Sequence, residues 1–214
     1  MMQNPKYRYF KSIGILLSSG ISFLLALIAY IITAINGYYP DDYGVSFLYG
    51  NKDLLVITMV FFVVTLLGVL LLMNVLKKKK TQEQLFPIFL TAASAIFGMF
   101  MLSSVLKPIV EGNAVVDLAY IISIVSTLLA LAAAIFGGII ISNIFQKKAA
   151  YQSYVFSYVL VACFVLSIGL YAITSGILLI KNDALIGSFY LLIALFEILG
   201  ALPMLYGISD PRLR

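Results

Sequence analysis

The sequence predicts an all-α polytopic membrane protein: six transmembrane helices arranged as three helical hairpins, with both termini cytoplasmic. Three observations carry this. Six apolar runs are each long enough to cross a bilayer, basic residues gather at the ends of those runs, and alternate connections differ sharply in positive charge. The pivot is Lys77, Lys78, Lys79 and Lys80, four consecutive ammonium groups that cannot sit in hydrocarbon. They end one apolar stretch and hold off the next. Short cytoplasmic loops collect Lys and Arg, so this run also anchors the orientation.

Composition narrows the classes further. Only 11% of residues are charged and 63% are hydrophobic, whereas a soluble domain carries about 25% charged residues. Most of the surface must therefore face lipid. The formal charge of +5 does not imply nucleic acid, because the basic residues edge the apolar runs as topology anchors do. Cys163 is the single cysteine, so no disulfide can form within one chain. Histidine is absent, which removes the usual haem and zinc ligand and the commonest catalytic base. Tryptophan is absent too, so an interfacial aromatic belt has to come from the 14 tyrosines.

A polar, basic segment, 1–11, precedes span one, 12–36. At 25 residues this run exceeds the h-region of a signal peptide, about 7–15 residues, and reads as a retained helix. The segment 37–53 follows. Gly37, Pro40, Gly44 and Gly50 break helices there, while Tyr38, Tyr39, Tyr43 and Tyr49 suit a headgroup layer. It is expected to be a tyrosine-anchored outer loop or short interfacial helix. Span two is 54–76, then comes the lysine run. Span three is 85–106, with Pro87 tolerated near its start. Span four, 115–145, is longer than a crossing needs, and is expected to tilt or project. Asp117 at its start suits a helix N-terminus. Lys147 and Lys148 close it. Span five, 153–180, turns through Lys181-Asn182-Asp183 into span six, 184–207. The whole chain, 1–214, reads as one transmembrane domain.

Charge tests this map. Eleven basic residues fall inside: Lys6, Arg8, Lys11, Lys77–Lys80, Lys147, Lys148, Arg212 and Arg214. Only three, Lys52, Lys107 and Lys181, fall outside. The asymmetry fixes the orientation and favours an even number of spans.

Small residues mark the faces through which helices in lipid approach one another. Span one carries Ser19, Ser22, Ala26, Ala29 and Thr33 at 3-4 spacing. Span four carries Ser123, Thr127, Ala130, Ala134 and Gly137, and span five Gly169, Ala172 and Gly176. These stripes read either as a polar lumen or as close packing with hydroxyls bonded to backbone carbonyls. Span two is mainly Val, Leu, Phe and Met, and is the helix expected to face lipid or a partner.

Glu197 is the one acid deep within a span. A charged side chain at that depth costs about 2.5 kcal/mol or more, so it is expected to face the bundle as a neutral, hydrogen-bonded acid. Tyr190, Ala194 and Ala201 share its face, and Pro203 frees the carbonyl of Leu199 nearby. The candidate intramembrane polar site is Glu197 and Tyr190 with Ser123, Thr127 and Tyr171. It reads either as a structural hydrogen bond or as a proton-coupling or cation-binding site.

No phosphate-cradling glycine loop, HExxH or paired metal-ligand motif is present, and no serine triad can form without histidine. The expectation is a non-enzyme without cofactor. In size, span number and hairpin layout alone, the chain resembles the substrate-binding S-components of energy-coupling-factor vitamin transporters. It equally resembles the small acid-resistance membrane proteins built from helical hairpins. No motif of either is matched, so no residue role follows. The primary expectation is an accessory or assembly subunit of a larger membrane complex, in a multi-pass plasma-membrane setting, compatible with a bacterium. Its partners would be the lipid bilayer and a membrane protein or further copies of itself, with no nucleic acid. The alternative is a small-solute transport protein with Glu197 in or near its site.

Overall fold

The computed structural model of the protein describes residues 5–36, 51–76, 85–112, 116–145, 150–181 and 183–209. These form six α-helices: α1 (Pro5–Asn36), α2 (Asn51–Leu76), α3 (Leu85–Val110), α4 (Leu118–Phe145), α5 (Ala150–Leu179) and α6 (Ala184–Ser209). Each contains an apolar segment long enough to cross a membrane, from 19 residues (Ala184–Leu202) to 26 (Leu118–Asn143). A helix meets its backbone hydrogen bonds internally, which is what a hydrocarbon solvent demands.

Some helix ends depart from the sequence reading by about a turn. Asn51, Lys52 and Asp53, read as the end of a loop, are the first residues of α2. Helix α3 continues past 106 through Lys107 and Pro108, because a proline near the end interrupts little of the remaining ladder. Gly112, at φ 70°, stops it in the left-handed conformation that closes helix C-termini. Asp117 caps α4, accepting from the Tyr120 amide at 2.7 Å. Asp183 caps α6 the same way, through the amides of Leu185 (3.1 Å) and Ile186 (3.0 Å). The 37–50 part of the tyrosine-rich segment and Lys77–Lys80 lie outside the described residues.

The helices form a closed ring. Helix α1 packs on α2 and α6, α4 packs on α3 and α5, and α5 packs on α6. A thinner α2–α3 seam completes the circuit, and α3 also touches α5 across the middle. Contacts along the seams give the directions. On α1 and α2, Thr65 donates to Ser19 at 3.3 Å and Phe23 meets Phe62 at 5.8 Å, so residue numbers rise on one helix as they fall on the other. Tyr120 donates to the Val105 carbonyl at 2.7 Å while Gly98 approaches Ala130, which sets α3 against α4. Ser126 donates to the Ser167 carbonyl at 2.5 Å and Phe136 stacks on Phe156 at 5.7 Å, which sets α4 against α5. Gly176 approaches Leu191 and Gly187 approaches Ile180, which sets α5 against α6. Only eight residues separate α2 from α3. They reach about 29 Å at full extension, short of the roughly 39 Å length of either 26-residue helix. The pair must therefore also run in opposite directions, and directions alternate around the whole ring.

Small residues build these seams. The span-one stripe of Ser19, Ser22, Ala26, Ala29 and Thr33 is buried throughout. Gly200 sits so close to α1 that a Cβ there would collide with the side chain of Ser18. Span two departs from expectation: 50% of its span is buried, as in α5, against 33% in α1 and α4. Leu54, Ile57, Val60, Phe61, Val64, Leu67 and Leu71 point inward. A helix apolar on nearly all sides has no polar face to betray its packed side, so a scarcity of small residues is no guide to exposure.

Candidate functional site

The ring interior is occupied by a row of aromatic side chains from three helices. Phe97 of α3 meets Tyr171 of α5 edge-on, with centroids 5.7 Å apart and planes at 77°. Tyr171 meets Tyr190 of α6 at 6.3 Å and 67°. This row forms where α3 touches α5 across the ring. Edge-to-face geometry places the positive rim of one ring on the negative face of the next.

Around that row the hydroxyls mostly bond to their own helix. Ser123 donates to the Ala119 carbonyl at 3.0 Å and Thr127 to the Ser123 carbonyl at 2.7 Å. Thr58, Ser94 and Thr174 each do likewise, four residues back. Such bonds satisfy a hydroxyl without a partner helix and let it line a tight seam. Among the described residues, two buried hydroxyls have no hydrogen-bond partner: Ser22 of α1 and Ser175 of α5.

Glu197 lies two turns beyond Tyr190 on the same face of α6, about 10 Å along the axis. It is 3% exposed. The packing on either side settles where that face points. Gly200 faces α1, while Gly187 and Leu191 face α5. At 3.6 residues per turn Glu197 lies about 60° from Gly200, on the arc between the two seams. Leu192, Leu195, Leu199 and Leu202 occupy the opposite, exposed arc. Glu197 therefore faces the ring interior.

The five candidate residues do not converge. Tyr171 and Tyr190 touch, and Glu197 shares the face of Tyr190. Ser123 and Thr127 belong to α4, which packs on α3 and α5, whereas the neighbours of α6 are α5 and α1. The hydroxyls of Ser123 and Thr127 both donate to their own helix and not to the Glu197 carboxyl. Pro203's side chain lies outside the described residues.

The residue that sequence reasoning passed over is Ser22. It stood in the span-one stripe, but nothing in one chain's periodicity says which helix a stripe will face. On α1, Ser18 meets Gly200 of α6 and Ser19 accepts from Thr65 of α2. Ser22 falls between those two directions, about 40° round from Ser18, and so faces the interior. Leu17, Leu24, Ile28, Ile31 and Ile35 take the opposite, exposed side.

Chemically, the interior offers one carboxyl, unpaired hydroxyls and phenol rings. Among the described residues no three His, Cys, Asp or Glu side chains group to hold a metal. No family model, curated protein or solved structure matches the chain, so the functional reading rests on its own residues.

Proposed function

We propose that the chain is a non-catalytic integral membrane protein serving as an accessory or assembly subunit of a larger membrane complex. In this reading it sits in a plasma membrane, bacterial in type, as three helical hairpins with both chain ends and Lys77–Lys80 on the cytoplasmic side. The observation that carries the subunit role is the packed interior. Phe97, Tyr171 and Tyr190 occupy the middle of the ring, and most span hydroxyls bond their own helix, as Ser123 and Thr127 do. A bundle filled this way suits a scaffold better than a passage for solute, because a solute path needs polar groups turned toward it and free to bind.

One observation favours a second reading, small-solute transport by a carrier or an S-component-like binding subunit. Glu197 is buried in the ring interior, and an intramembrane acid of this kind commonly marks a substrate or ion pathway.

Purification of the tagged chain from its native membrane in a mild detergent separates the two. A larger membrane protein in constant ratio is the expected result. Recovery of the chain alone, with solute uptake after reconstitution into vesicles, would put transport first. A co-purifying ATPase would favour the S-component form of transport.

A further inference from the structure

A buried carboxyl and an unpaired hydroxyl lie at about one level of the ring interior. Gly200 of α6 seats against Ser18 of α1, and the two helices run in opposite directions. One turn up α1 from Ser18 is Ser22, and about one turn back along α6 from Gly200 is Glu197. Both face inward from adjacent helices, by the packing described above. Ser22 is 0% exposed and its Oγ has no hydrogen-bond partner. A buried hydroxyl left unpaired is unfavourable, and a buried acid at the same level points to something that binds between the two.

A third observation supplies room. Gly169 of α5 is buried, yet a Cβ built on it would meet nothing within 4 Å. Gly169 lies two turns before Gly176 on the same face of α5, and Gly176 approaches Leu191 of α6. Two turns on from Leu191 along α6 is residue 198, so the open side of Gly169 lies level with Glu197.

We propose that Glu197 and Ser22 are two ligands of a monovalent-cation site in the ring interior at the α1–α6 seam, taking a proton or a sodium ion. Charge sets the class. One carboxylate neutralises one positive charge, and a divalent ion would leave an uncompensated charge in an apolar interior. The hydroxyl of Ser22 supplies lone pairs to sodium, or accepts from the protonated carboxyl. Among the described residues the neighbourhood holds no rival charge. Of the titratable side chains described on α6 and on α1 and α5, the helices packed against it, Tyr171 and Tyr190 face the interior, and Tyr30, Tyr158 and Cys163 lie elsewhere on their helices. The site is independent of the subunit reading, since a scaffold and a carrier can each hold it.

The test is labelling of the purified full-length chain with dicyclohexylcarbodiimide, which reacts with protonated carboxyls in apolar surroundings. Adduct on the Glu197 peptide is measured by mass spectrometry over an acid-to-alkaline series, in sodium chloride or choline chloride. The expected result is an adduct whose yield falls about tenfold per pH unit above its midpoint. Protection by sodium and not choline identifies sodium as an occupant; equal yields in the two salts identify the proton alone. Either supports the site. Ser22→Ala is expected to move the midpoint or remove sodium protection, while Ser175→Ala, which deletes the other unpaired hydroxyl, leaves both unchanged. No adduct at Glu197 at any pH, or a yield indifferent to pH, overturns the site. A Ser22→Ala profile identical to that of the unaltered chain overturns the role of Ser22. The readout needs no partner protein, so its failure is distinct from failure of the subunit reading.

Discussion

Gly187→Ala is expected to push α5 and α6 apart and cost about 3 kcal/mol of stability, the upper part of the range for overpacking. The added Cβ would lie 2.6 Å from the Ile180 nitrogen, 2.7 Å from the Ile180 Cα and 2.9 Å from the Gly176 carbonyl oxygen. All three are backbone atoms, so no side chain can swing aside to relieve the contact. The helices must separate, and dispersion contacts along the seam go with them. Gly138→Ala is the matched control. Gly138 is exposed and a Cβ there meets nothing within 4 Å, so alanine should be neutral or stabilising by up to about 1 kcal/mol from helix propensity. Thermal unfolding of both variants in one detergent reads the difference. Equal midpoints would mean that α5 and α6 do not pack through Gly187.

Glu197→Leu is expected to keep or raise stability, by about 1–3 kcal/mol, because it removes the desolvation cost of an acid buried in the ring interior. On the sequence alone the opposite sign was the natural expectation for a structural acid, since deleting a hydrogen-bonded carboxyl strands its partner. The reversal follows from neighbours. The hydroxyls of Ser123 and Thr127 are spent on their own helix, and Ser22 is unpaired already. Glu197→Gln, which keeps the shape, should unfold close to the unaltered chain. A clear drop in the unfolding temperature of the Leu variant, rescued by Gln, would show that hydrogen bonding of the carboxyl outweighs its desolvation cost and would contradict this prediction.

Much of the architecture was legible because a bilayer imposes length and charge rules on sequence. Six spans, their order and the inward stripe of α1 follow from run length and 3-4 spacing. Helix ends were less so: Asn51 and Pro108 look like breakers, yet one starts α2 and the other lies within α3. The packed side of α2 was hidden because Leu, Val and Phe serve both core and lipid. Glu197 announced itself by its cost, but its setting did not. Which helix closes the ring against α6 is decided by contacts such as that of Gly200 with Ser18, between residues far apart in the chain. For that reason Ser22 looked like one member of a stripe, and Ser123 and Thr127 looked like neighbours of an acid whose wall is α1.

The account stands on six crossings oriented by Lys77–Lys80, and cysteine accessibility tests this most directly. With Cys163 replaced, Lys79→Cys and Val45→Cys are each placed as the single thiol and exposed to a membrane-impermeant maleimide in intact cells. The expected result is labelling of Val45→Cys from outside and of Lys79→Cys only after permeabilisation. Labelling of Lys79→Cys in intact cells, or of Val45→Cys only from the inside, would contradict the topology.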